Sequence, residues 1–164
     1  MKRLGILLLG FLFSFAFLSA HDAHEGVMNV ELGLKLGNGN DVTIKYRALN
    51  LGTGQTWDRL KSGQRARPFP IAELTTGVAL KVGETASVPA GTHRLYFVGS
   101  AEGMSLQIGG SRDNPGPRVP IEVSSAPSTA EHLIIGATHG EGLTDVVLFM
   151  VYGDSLGYVS FDTN

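Results

Sequence analysis

Across residues 76–109, TGVALKVGETASVPAGTHRLYFVGSAEGMSLQIG, apolar residues recur at every second position, and Gly or Pro ends each run. Val78, Leu80 and Val82 alternate with small or polar residues, and Met104, Leu106 and Ile108 do so again. Between them lies the denser run Leu95-Tyr96-Phe97-Val98. A period of two places the apolar side chains of a strand on one face, and Gly/Pro clusters stop the strand after a few residues. No sustained 3.6-residue period follows the first 20 residues. A chain so patterned buries its apolar faces sheet against sheet. The expected fold is all-β: an antiparallel β-sandwich of jelly-roll or Ig-like kind, or a small barrel, with no substantial helix.

The flanking segments repeat the pattern. Met28, Val30, Leu32, Leu34 and Leu36 share one face of a strand over 27–36; Gly37-Asn38-Gly39-Asn40 is a hairpin turn; Val42, Ile44, Tyr46 and Ala48 face inward on the return. Residues 118–123 read as a short strand with Val119, Ile121 and Val123 on one face. Pro120 inside it marks a sheet edge and favours a monomer. A Ser/Pro loop is expected at 124–129, a strand at 131–138, and a strand at 145–152 buried on both faces. A turn at 153–156 and a closing strand at 157–161 follow. The least regular stretch is 50–70, NLGTGQTWDRLKSGQRARPFP, with at most one helical turn at 57–60.

The first 20 residues carry Lys2 and Arg3, then an apolar run, then Leu18-Ser19-Ala20. This tripartite pattern predicts a signal peptide at 1–20, cleaved after about Ala20, and hence a periplasmic or secreted protein. The alternative is a retained anchor, but the apolar run is at the bottom of the spanning range. With no Cys in the chain, lipoprotein anchoring, disulfides, thiol nucleophiles and iron–sulfur clusters are excluded. Residues 21–26 would form a flexible N-terminus and 27–164 a single domain, with no membrane span after cleavage. The formal charge is −2, and losing Lys2 and Arg3 takes it to −4. That balance gives no electrostatic footprint for nucleic acid.

The segments Leu80-Lys81-Val82-Gly83 and Val88-Pro89-Ala90-Gly91-Thr92, followed by Leu95-Tyr96, resemble the core motif of the bacterial secreted domain-of-unknown-function family 2911. The strand at 42–49 and Thr56-Trp57 fit the same pattern, so the resemblance spans about residues 40–109. The loop at 58–70 departs from it. The resemblance implies a β-sandwich and export and leaves the activity open.

Two constellations are candidates for function. The first is the 52–70 loop. Trp57 offers a stacking face, and Arg59, Arg65 and Arg67, with Lys61, concentrate positive charge in an acidic chain. This loop is expected either to bind an anionic or sugar-like ligand, or to be solvated with Trp57 covering the end of the sandwich. The second is the N-terminus, where cleavage would expose His21 with His24 three positions on. An N-terminal amine, its imidazole and a further imidazole from His132 or His139 would suit copper or zinc; a solvated linker is the plain alternative. No nucleophile elbow is present, and the Ser of Gly153-Asp154-Ser155-Leu156-Gly157 is placed for a turn rather than an attack. The residues therefore favour a non-catalytic module binding a small ligand or protein partner, ahead of a metal carrier and ahead of an enzyme.

Overall fold

The computed structural model describes residues 28–50, 55–64, 67–82, 86–111, 114–140 and 144–163. The signal peptide expected at 1–20 and the tract at 21–26 lie outside them. The described chain runs β1 (Asn29–Lys35), β2 (Asp41–Arg47), α1 (Gln55–Lys61), β3 (Phe69–Thr76), β4 (Leu80–Val82), β5 (Ala86–Val88), β6 (Gly91–Ser100), β7 (Gly103–Ile108), β8 (Arg118–Pro120), β9 (Glu122–His139) and β10 (Val146–Thr163). The strands pair antiparallel into a six-stranded sheet, β1-β2-β3-β6-β7-β8, and a four-stranded sheet, β5-β4-β10-β9. This is the all-β sandwich that the alternation requires.

The inward faces meet in one core. Ile44, Leu74, Leu95, Phe97 and Leu106 come from the larger sheet; Leu80, Leu133, Leu148 and Phe161 come from the smaller, all fully buried. Each such side chain contributes about 1.5–3 kcal/mol by leaving water. The β1–β2 hairpin forms in the expected register, Leu34 opposite Val42 and Val30 opposite Tyr46. Met28, expected on the inner face, is 53% exposed. Along one side the two sheets are stitched together. The Leu133 amide donates to the Leu49 carbonyl at 2.9 Å, and His139 Nε2 lies 2.8 Å from the Lys35 carbonyl. Burial pushes the Tyr46 hydroxyl above the ordinary phenol pKa, while a hydrogen bond with the Ile135 backbone pulls it the other way.

Four local expectations are corrected. The Ser/Pro stretch at 124–129 lies within β9 rather than between strands. Ser125 pairs Ser155 and Ala130 pairs Gly153, so residues 126–129 bulge opposite Asp154 alone. The expected turn at 153–156 is the matching irregularity in β10, which continues to Thr163. The apolar run of β10 is buried on one face only: Val146, Leu148, Met150 and Tyr152 are in the core, while Val147, Phe149 and Val151 are half-buried. Finally, 118–123 is not one strand. β8 ends at Pro120 on the edge of the larger sheet, buried Ile121 turns the corner, and Glu122 begins β9 in the other sheet. Val123 is accordingly 44% exposed.

Candidate anion-binding groove

The irregular connection divides into two parts with different fates. Its first part is α1, seven residues and too short to be stable alone. It is held by Trp57 and Leu60, three apart on one face and both buried. The Trp57 ring meets Phe97 at 5.6 Å and Tyr152 at 5.3 Å, both edge-on. Its Nε1 donates to Ser155 Oγ at 3.5 Å, Lys61 Nζ donates to the same oxygen at 3.3 Å, and Ser155 Oγ donates to Asp154 Oδ1 at 3.1 Å. Ser155 is thus the latch between helix and β10. Lys61 Nζ also lies 3.9 Å from Asp58 Oδ1, one turn back on the same helix.

Helix α1 ends at Lys61, and Gly63 beyond it closes the end, its amide donating to the Leu60 carbonyl at 3.2 Å. Its φ is 71°, and a Cβ there would fall 2.1 Å from the Ser100 carbonyl oxygen. Only glycine lets the chain lie this close against the end of β6. Beyond it, Arg67 and Pro68 lead into β3 and form one wall of a groove of about 490 Å³.

The floor of the groove is a cross-strand row on the outer face of the larger sheet. Tyr96 on β6 pairs Gln107 on β7, and Gln107 pairs Arg118 on β8. Directly paired residues share a face, so the register alone brings Tyr96 and Arg118 to one surface. Arg118 Nε donates to Gln107 Oε1 at 3.1 Å, and Gln107 Nε2 donates to the Gly109 carbonyl at 3.3 Å. Gln107 is 2% exposed and holds the guanidinium from below. The second wall, Gly110, Ser111 and Pro115, belongs to a tight turn. Its bonds are Ser111 amide to Asn114 carbonyl at 2.9 Å, Asn114 amide to Ser111 Oγ at 3.1 Å, and Ile108 amide to Pro117 carbonyl at 3.0 Å. A Cβ on Gly116 would sit 1.9 Å from the Ile108 carbonyl, so this wall is pressed onto the end of β7. Among the described residues neither Arg67 nor Arg118 is in an ion pair.

The expected ligand loop is therefore only partly assembled. Trp57 is 3% exposed and offers no ring face to a ligand: it covers the end of the sandwich. Arg59 is exposed on α1, away from the groove lining, and Arg65 lies outside the described residues. Arg67 alone reaches the groove, joined by Arg118, Tyr96 and Gln107, which sequence reading did not single out. Of the expected metal ligands, His21 and His24 lie outside the described residues. His132 and His139 are seven positions apart on β9, roughly 20 Å along an extended strand, so they cannot share one ion. His139 Nε2 is already engaged by Lys35. Among the described residues no three His, Asp or Glu side chains converge. Comparison with protein-family models, curated proteins and solved structures returned no match.

Proposed function

We propose that this protein is an exported, non-catalytic β-sandwich that binds a small anionic ligand in the groove between Arg67 and Arg118. The observation that carries the reading is two guanidinium groups, neither in an ion pair among the described residues, lining one concave site on a polar-floored sheet. A planar guanidinium matches carboxylate and phosphate oxygens with two parallel hydrogen bonds, and a held guanidinium loses less freedom on binding. The groove is within the size range of small-molecule sites. In a chain of net charge −2, paired arginines supply the local attraction for an anion. Export is supported by the tripartite pattern at 1–20 and by the resemblance of residues 40–109 to family 2911.

Two measurements test this. Calorimetric titration with small carboxylates and phosphate should show saturable binding that an Arg67→Gln/Arg118→Gln double variant loses; equal binding by both proteins refutes the site. Expression of the full chain in a bacterium, fractionation and N-terminal sequencing should yield an exported protein beginning at His21. Retention of Met1 in the inner membrane refutes the cleavage.

A further inference from the structure

The groove does more than attract charge; its lining distinguishes between anions. Resting on the anion-binding reading above, we infer that the ligand is a ring-bearing carboxylate, its carboxylate on Arg118 and Arg67 and its flat apolar ring against Tyr96 and the prolines. Three observations lead there.

First, the polar side chains of the floor and turn each already make a hydrogen bond within the protein. Gln107 accepts from Arg118 and donates to the Gly109 carbonyl, and Ser111 Oγ accepts from the Asn114 amide. Second, no carboxylate is among the described lining residues. What is left is weighted toward donors: the guanidinium of Arg67 and the N–H groups of Arg118 other than Nε, set against the Tyr96 and Ser111 hydroxyls as acceptors. A sugar acid would bury several hydroxyls whose protons need acceptors, and each one left unpaired costs affinity. Third, the remaining lining is Tyr96, Pro68 and Pro115, flat or apolar surfaces that suit a ring. Tyr96 is half-buried on the outer face, while its neighbours Leu95 and Phe97 face the core.

The test uses protein purified after expression of the full chain and titrated with three probes: 2-naphthoate, D-galacturonate and inorganic phosphate. Naphthoate is expected to bind saturably and about tenfold more tightly than either of the others. Arg118→Gln should weaken it about tenfold or more, since one charged hydrogen-bonding partner is removed. Arg118→Lys, which keeps the charge and loses the fork, should fall between. Tyr96→Leu should weaken naphthoate about twofold to tenfold and leave phosphate unchanged. Thermal unfolding of each variant establishes that it is folded. If galacturonate or phosphate binds more tightly than naphthoate and depends on Arg118, the ring class is wrong and the anion site stands. If naphthoate binding ignores both arginines, or no probe binds, both readings fall.

Discussion

Trp57 and Arg67 lie ten positions apart in one connection, and the fold uses them in opposite ways. Around Trp57 every polar group is taken up within the protein: the indole N–H and the Lys61 ammonium both donate to Ser155, and Phe97 and Tyr152 close on the ring. In the groove, Arg118 is held by Gln107, and neither it nor Arg67 is neutralised by an ion pair among the described residues. A buried aromatic with satisfied partners stabilises the fold. A positioned cation on a concave surface keeps its interaction energy for something that arrives from solution. Residue type alone does not separate the two roles; the residue's neighbours do.

The contrast can be broken or sharpened by substitution. Trp57→Ala should be the most damaging change, costing about 3–5 kcal/mol of stability in a urea titration, as for other large core truncations. A loss under 1 kcal/mol would mean the helix is an ornament on the sandwich rather than its end cap. Gly63→Ala tests the strap that joins the two regions. With φ at 71° and the Ser100 carbonyl in the way, it should cost about 1–3 kcal/mol and also weaken groove ligands, because Arg67 follows from this point. Ser155→Ala leaves the indole N–H without its partner and should cost about 1 kcal/mol without affecting the groove.

The core side of the comparison also responds to pH. Tyr46 has its pKa raised in the folded state by burial, so the folded protein holds that proton more tightly than the unfolded chain. Its contribution is full below pH 10 and is lost as pH rises through the folded value. Tyr46→Phe should remove that part of the alkaline decline, seen as flatter melting temperatures above pH 10. Tyr158 titrates upward too, through its hydrogen bond to Glu122 and that carboxylate's charge, but it is exposed on β10 and serves as the control. The smallest effect is expected in the groove: Arg67→Gln should change stability by less than about 0.5 kcal/mol while lowering anion affinity. A large stability loss there would place Arg67 with Trp57 and end the distinction.

Most of the strands and their inward faces could be read in advance, because a period of two and a Gly/Pro stop are local properties of a chain, but β3 (Phe69–Thr76) was not assigned. The hairpin through Gly37-Asn38-Gly39-Asn40 and the edge position of Pro120 are of this kind. The long strands β9 and β10 were not, because a Ser/Pro run and a Gly-Asp-Ser run read as turns until each is set opposite the other as a bulge. The helix was underestimated for a related reason: seven residues with two apolar positions form a helix only when the core accepts Trp57 and Leu60.

The groove shows the division most plainly. The sequence by itself determined that the protein is all-β, that it lacks cysteine chemistry, and that basic residues gather in the irregular stretch at 50–70. Only the tertiary structure decided which of them could meet a ligand. Tyr96, Gln107 and Arg118 are separated by eleven residues at each step, and nothing in their order marks them as a set. They become one surface because β6, β7 and β8 pair in one register, and a shift of one residue would turn each to the opposite face.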